Sequence, residues 1–506
     1  VTRASPDVRH DGQFDDWLAH RAAATPDRLA LVAGGRQWTF GTLDAAATDL
    51  ARRLAAFGIG AGDRVATLLH NGASPALLLH AVLRLGATLV PLNTRLAPAE
   101  VAWQLADAGP RLLVVDARSA SLARAADATD SSLRVVEIGD EGEFPADGSG
   151  MADDAPLRTW HDAHHPLALL YTSGTTGRPK AAILTVANFW WSAIGSALNL
   201  GTHVDDRWLA VLPLFHVGGL SILVRSAIYG IAAVVHDGFD AAAVNRAIDT
   251  EGVTMASVVS VTLQRLLDDR GDRPCPGSLR CLLLGGGPIP RALLERCAAV
   301  GAPVVQTYGL TETTSQLCTL SPADALRKLG SAVRPLYPNQ LRIHAPDGAG
   351  VGEIVVHGPV VTAGYRNRPE QTARTIVDGW LHTGDVGRVD DEGFLYVLDR
   401  RDDLIVTGGE NVYPAEVEAA LHSNALVAEA AVVGLPDERW GHRVVAVVRL
   451  THGAAPTDIA TALRAQCRAV LAGYKVPAEV RVVTAPLPRT ASGKLQRGLV
   501  RAALIR

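Results

Sequence analysis

The sequence predicts an α/β protein with a large N-terminal domain of two related α/β subdomains plus a β-rich part, followed by a small α+β C-terminal domain. Three observations carry that prediction. Apolar strands alternate with amphipathic helices early in the chain, which argues for a parallel sheet. The same pattern recurs further on. From about residue 335 the texture changes to short alternating segments punctuated by Gly and Asp.

The elements follow in order. In "FGTLDAAATDLARRLAAF" (40–57) apolar residues fall at 43, 46, 47, 50, 54 and 57, one face of a helix. "DRVATLL" (63–69) reads as a buried strand, 75–85 as a helix and "ATLVPL" (87–92) as the next strand. Asp63-Arg64-Val65 opens this unit, and Asp206-Arg207-Trp208 opens a second one that ends in "GIAAVVH". Asp63 lies 23 residues before Gly86, and Asp206 lies 24 before Gly230, so two related units are expected. "GEIVVHGP" and "VGRVDDEGFLYVLDRRDD" read as antiparallel strands. Beyond them come a helix at 414–421, strands at 428–434 and 443–450, a helix at 457–471 and a strand at 479–484. The charged turn "LDRRDD" (398–403) is the expected boundary, giving domains 1–399 and 400–506.

Composition narrows the function. The 506 residues carry a net charge of −4, which speaks against a nucleic-acid or membrane-surface footprint. The most apolar stretch, "PALLLHAVLRLGATLVPL", is interrupted by His80, Arg84 and Gly86 and is too short to span a bilayer. The first residues contain no apolar signal-like core, so a cytoplasmic location is expected. Five cysteines (Cys275, Cys281, Cys297, Cys318, Cys467) form no metal-like spacing and read as reduced thiols. Only four of the 48 basic residues are lysines: Lys180, Lys328, Lys475 and Lys494.

Several segments have the chemistry of a site. In "LLYTSGTTGRPKAA" (169–182) an apolar strand enters a loop with two glycines, four hydroxyls and a lysine, and a helix-like segment is expected after it. Gly174 and Gly177 let backbone N–H groups turn inward around phosphate oxygens. Thr172, Ser173, Thr175 and Thr176 add hydroxyls, and Lys180 adds a compact charge. Pro179 and Ala181 exclude the Walker pattern. "PLFHVGGL" places His216 between a strand end and glycines, and "LLLGGGPIP" ends a buried strand in Gly285–Gly287 and Pro288. "VVQTYGLTET" offers Tyr308 for stacking and Glu312 as a Mg²⁺ ligand. "GWLHTGD" ends in Asp385, suited to a ribose diol.

Taken together and in this order, T-S-G-T-T-G-x-P-K, P-L-F-H, G-G-G-x-P, Q-T-Y-G-L-T-E, W-L-H-T-G-D, D-R-x-D-D, G-G-E-N-V-Y-P and P-R-T-x-x-G-K closely resemble the adenylate-forming superfamily of acyl-CoA synthetases, luciferases and adenylation domains, from about residue 15 to 500. The resemblance implies an AMP-forming acid–thiol ligase that uses ATP, Mg²⁺ and coenzyme A. It implies that Thr172–Gly177 and Lys180 hold the β- and γ-phosphates, with Thr176 also in the catalytic set, and that Glu312 binds the metal. Gly286, Gly287, Pro288, Tyr308 and Gly309 would border the adenine. Thr311 would touch the α-phosphate, and Asp385 and Arg400 the ribose. Lys494 would be the catalytic lysine, on a small mobile domain turning about a hinge at Asp402. Gly408 and Gly409 would then line a pantetheine tunnel, and His216 would sit beside the reacting carboxylate. Ala181 and Gly219 depart from the commoner residues of the family without removing an ionisable group.

For the acid, "ANFWWSAIGSALNLG" (187–201) and "PLFHVGGLSILVRSAIYG" (213–230) look most like the o-succinylbenzoate–CoA ligases of menaquinone biosynthesis. An aromatic diacid needs a flat apolar slot and a cation or donors for its second carboxylate. Trp191, Ser221 and Arg225 are candidates beside His216. The alternatives are a general fatty-acyl or aryl-acid CoA ligase and, in another class, a non-catalytic nucleotide- or acyl-CoA-binding homologue. No nucleic acid and no membrane span are expected as partners, and a homodimer stays open.

Overall fold

The computed structural model describes residues 12–126, 133–144, 152–172, 179–286, 291–321, 324, 327–328, 334–346, 348, 350–399, 405–451, 458–488, 495 and 497–505. It is a mixed α/β structure with a large N-terminal and a small C-terminal domain. Both units anticipated by their Asp-Arg openings are strand–helix–strand. Strand Arg64–Leu68, helix Ala73–Arg84 and strand Thr88–Pro91 form the first, with Arg64 paired in parallel to Thr88. Strand Arg207–Ala210, helix Val217–Tyr229 and strand Ala232–Val235 form the second, with Arg207 opposite Ala232.

Each unit seeds its own sheet. Among the described residues the first sheet has six strands and the second eight. Parallel pairing forces long crossovers, and the helices that make them cover the sheet faces, so strands such as Leu112–Val115 and Ala232–Val235 are buried at every position. One pairing was not legible locally. The hairpin Leu29–Ala33 and Arg36–Thr39 leaves the early chain and closes the edge of the second sheet. A further correction concerns the segment after Lys180. It is a strand, Lys180–Thr185, paired antiparallel with Pro166–Thr172, and not a helix; the helix Val186–Leu200 follows it. The helix waits for Thr185 because Thr185 and Asn188 cap it reciprocally, each side chain accepting the other's backbone N–H.

Beyond residue 335 an antiparallel sheet holds Gln340–His344, Gly352–His357, Trp380–Val389 and Leu395–Asp399. The small domain wraps helices Pro414–His422 and Ile459–Val470 around a sheet whose long hairpin, Val427–Asp437 with Gly441–Leu450, takes Glu479–Val483 as a parallel neighbour. Among the described residues, no helix is long and apolar enough to cross a membrane.

A buried ionic knot ties the N-terminal helices together. Asp16 caps helix Trp17–Ala24 through Ala19 N (2.8 Å) and accepts from Arg84 Nε (3.0 Å) and Nη2 (3.1 Å). Arg84 also reaches Thr48 Oγ1 (2.7 Å) and the Asp44 carboxylate, and His161 Nε2 lies 3.3 Å from Asp16. Burial by itself would raise the Asp16 carboxyl, but His161 and Arg84 outweigh it and hold it far below the ordinary carboxylate range. A depressed carboxyl contributes stability above its unfolded value and loses it as pH falls toward the folded value. Asp16→Asn is therefore expected to cost about 3 kcal/mol at pH 7. Denaturant unfolding should show that gap closing below about pH 4; equal stability at pH 7 would contradict the assignment.

Candidate active site

The parallel strands of the second sheet end at one cavity of about 410 Å³. Val259, Gly285, Gly286, Thr307 and Gly309 stand at its wall, at the carboxyl ends of their strands, where open α/β sheets place ligands. Thr172 and Lys180 enter from the hairpin of the first sheet, and Gly409, Glu410 and Lys475 enter from the small domain. Asp385 enters from the antiparallel sheet beyond residue 335, so the site lies where four sheets meet.

Glu312 occupies one corner, on the single 3₁₀ turn Thr311–Thr313. Its Oε1 accepts from Tyr365 OH (2.8 Å) and stands 3.7 Å from Lys180 Nζ and 3.5 Å from Thr172 Oγ1. Lys180 Nζ in turn donates to Tyr365 OH (2.7 Å) and sits 3.9 Å from the centre of its ring. Burial first, and the Glu312 carboxylate second, push the Tyr365 phenol well above its ordinary value, so it stays a donor. Among the described residues no cluster of three His, Cys, Asp or Glu could cage a metal. One carboxylate beside a hydroxyl fits Mg²⁺, which keeps its waters and shares its coordination with substrate phosphates.

A second corner is built for a polar ring substituent. Tyr308 OH donates to Asp385 Oδ2 (2.6 Å), and both residues are buried, with Asp385 reaching the wall. Tyr308 itself stands behind the wall. Two glycines make this region thin. A Cβ on Gly309 would lie 1.6 Å from Ser315 O, and Gly286 adopts φ +84° beside Val259.

The third corner belongs to both domains. His216 caps the start of helix Val217–Tyr229 and stacks edge-on with Phe215 at 4.7 Å. Its Nε2 lies 3.4 Å from Glu410 Oε2, and Arg95 Nη2 lies 2.7 Å from Glu410 Oε1. Burial would raise the Glu410 carboxyl; His216, Arg95 and Lys475 more than reverse that and hold it below the usual range. The turn at Gly408 (φ +57°) and Gly409 (φ +83°) delivers it. A Cβ on Gly408 would meet the Trp440 ring at 2.9 Å.

Behind the Ser257 wall lies a polar layer. Arg225 is 1 % exposed, donates from Nη2 to Ser192 Oγ (3.1 Å) and lies 5.4 Å from the Trp208 ring. Trp208 Nε1 donates to Ser257 Oγ (3.0 Å). Arg225 Nε, Ser221 Oγ and the wall residue Gln316 Nε2 have no hydrogen-bond partner among the described residues. Burial lowers the Arg225 pKa, with Tyr229 opposing. Trp191 packs half-buried on the main core, and its neighbour Trp190 stacks near Phe14 and Trp17. Neither Trp191, Ser221 nor Arg225 touches the cavity wall.

Of the anticipated site residues, Thr172, Lys180, His216, Gly286, Gly309, Thr311, Glu312, Asp385 and Gly409 meet at the cavity. Ser173, Gly174, Thr175, Thr176, Gly177, Gly287, Pro288, Arg400, Asp402 and Lys494 lie outside the described residues. Tyr365, Arg95, Glu410 and Gln316 are additions that sequence reading missed. Glu410 stood inside a quoted motif, "GGENVYP", but only the fold gives it a partner.

The chain matches the AMP-binding enzyme family over residues 18–366 and the AMP-binding enzyme C-terminal domain over 416–494. It is 48% identical to the 2-succinylbenzoate–CoA ligase of Geobacillus kaustophilus (strain HTA426) over 95% of this chain and 96% of that protein. Among solved structures, it resembles the Bacillus subtilis o-succinylbenzoate CoA synthetase double mutant bound to its product analogue OSB-NCoA, with a TM-score of 0.88 at 42% identity, covering 96% of this chain and 98% of that one. The same Bacillus subtilis enzyme in complex with ATP and magnesium ion gives a TM-score of 0.71 at 41% identity, covering 96% and 99%. A family match across most of the sequence, joined to a cavity built from the expected motifs, places the chain in the AMP-binding enzyme family.

Proposed function

We propose that the chain is an ATP-dependent 2-succinylbenzoate–CoA ligase of menaquinone biosynthesis. One carboxylate oxygen of the acid attacks the α-phosphorus of ATP; the bond to pyrophosphate breaks and an acyl-adenylate forms. The sulfur of CoA then attacks the acyl carbon, AMP leaves and the thiol gives up its proton. The observation that carries this reading is one cavity bounded by Glu312–Lys180, by Asp385 and by His216–Glu410. Those corners suit phosphates, ribose and the reacting carboxylate respectively. Transfer at phosphorus needs placement and neutralised charge more than covalent help.

In this reading the 172–177 loop and Lys180 hold the β- and γ-phosphates, and Thr311 contacts the α-phosphate. Glu312 would hold Mg²⁺, which offsets phosphate charge when bound. Gly286, Gly287 and Pro288 border the adenine. Tyr308 keeps Asp385 aimed at the ribose, together with Arg400. Lys494 is the catalytic lysine of adenylation. Domains 1–399 and 400–506 turn about Asp402 between the two steps. The present seating of Gly409 and Glu410 at the cavity supports the thioester-forming arrangement. So does the closer likeness to the relative holding a product analogue than to the one holding ATP.

The unpaired donors behind Ser257 favour a diacid. A buried guanidinium without a carboxylate partner gains most from a substrate that brings one. Arg225, with Ser192, Ser221 and Gln316, would set the potential for the second carboxylate, and Trp191 would back the apolar slot.

Two experiments test this. Lys494→Ala should cut pyrophosphate release by about 10²-fold or more, while pre-formed acyl-adenylate still reacts with CoA at a near wild-type rate; equal loss in both steps would refute the role. In an acid panel, 2-succinylbenzoate should have the highest kcat/KM. Arg225→Gln should lower it by about 10–100-fold and leave benzoate turnover unchanged. Preference for benzoate or medium-chain fatty acids by the unaltered protein would favour the general acyl-CoA ligase instead.

A further inference from the structure

Lys475 reaches the cavity and helps hold the Glu410 carboxyl down, but no step described above uses it, and it is one of four lysines in a chain that uses Arg almost everywhere else. It ends the turn Gly473–Lys475 of the small domain and is 3 % exposed. Its Nζ lies 2.5 Å from Glu100 Oε1 and 2.8 Å from Glu416 Oε1. Glu416 sits on helix Pro414–His422 of the same domain, whereas Glu100 sits on helix Pro98–Ala108 of the large domain. The cluster therefore spans the domain interface, 375 residues apart in sequence.

The bridge is built on fixed parts. Glu100 Oε2 accepts from Ala97 N (2.9 Å), so the start of its own helix holds the carboxylate in place. Ala472 and Tyr474, just before Lys475, pack into the large-domain cluster that contains Leu96, Val101 and Leu105. Burial would lower the Lys475 ammonium, but Glu416 and Glu100 reverse this and raise it, so it stays charged. One nitrogen within reach of two carboxylates suits a point donor better than a planar fork.

The members do not respond equally to movement of the small domain. Lys475 and Glu416 travel together and stay paired in any orientation. Glu100 joins them only when the domain is seated as it is here. In that same seating Gly409 and Glu410 reach the cavity, and Arg95 meets Glu410.

We propose that Lys475 is a positioning residue for thioester formation: its bridge to Glu100 holds the small domain where Gly409 and Glu410 face the cavity, and acyl-adenylate formation does not use it. This rests on the two-step reading given above. Glu100→Gln removes the charge and keeps an oxygen for Ala97 N; Lys475→Met removes the ammonium and keeps the chain length.

The test separates the two half-reactions in the full-length protein. Each variant should slow the reaction of pre-formed 2-succinylbenzoyl-adenylate with CoA by about tenfold and leave pyrophosphate release within about twofold of wild type. Combining Glu100→Gln with Lys475→Met should cost the thioester rate little more than either change alone, because the two act through one bridge. An unchanged thioester rate in Glu100→Gln, equal loss in both half-reactions, or fully additive losses in the double variant overturns the proposal. Wild-type protein that releases no pyrophosphate with 2-succinylbenzoate and ATP overturns the ligase reading itself, a result distinct from failure of the bridge alone.

Discussion

A buried carboxylate needs positive neighbours, and Glu410 finds two of them, His216 and Arg95, on the other domain. It is 4 % exposed, carried by the strand Glu410–Val412 of the small domain and met by His216 and Arg95 of the large one. An unpaired carboxylate at that depth would cost several kcal/mol, on the order of the effective desolvation penalty for one ion. The pairing therefore makes the small domain's orientation a condition of the site. The wall at Gly409 and the environment of His216 both follow from it.

The opposite end of the cavity lies within the large domain and is tied by hydrogen bonds. Lys180, Tyr365 and Glu312 form a short donor chain that keeps a single carboxylate aimed inward. Phosphate chemistry is helped by groups already in place when charge develops, because no reorganisation is then needed. A fixed end and a domain-dependent end suit a reaction in two steps, the first using phosphates and the second a thiol. On the proposed two-step reading the cavity is shared, and what changes between the steps is which residues complete it.

Local burial patterns were legible in the sequence. The helix anticipated over 40–57 is Phe40–Ala56, with Leu43, Ala47, Leu50 and Leu54 buried, because its core face repeats every turn. The two Asp-Arg units were legible for the same reason. The second strand of the hairpin that brackets residues 173–179 was not. Lys180–Thr185 contains "AAIL", which reads as helix until its partner Pro166–Thr172 is known. In the site, His216 stood out at a strand end, Lys180 and Glu312 in polar loops that follow apolar strands, and Asp385 at the end of "GWLHTGD". Tyr365 and Arg95 did not, since each works on a residue brought from far away; Tyr365 lies 53 residues beyond Glu312. The Trp190–Trp191 pair looked like a pocket and is packed on the core, an ambiguity that composition cannot resolve. Lys475 drew notice as a rare lysine in the segment "GYKVP", with no partner named, and Glu100 carried no signal at all.

The claim at the centre is that the seating of the small domain seen here belongs to thioester formation. A spin-label distance measurement between Leu198→Cys and Leu499→Cys, both on exposed positions of different domains, reads it directly. With a stable CoA-product analogue bound, the distances should converge on the one in this structure. With ATP, Mg²⁺ and the acid, a second, separate distance should gain population. A single distance unaffected by either ligand set would contradict the account.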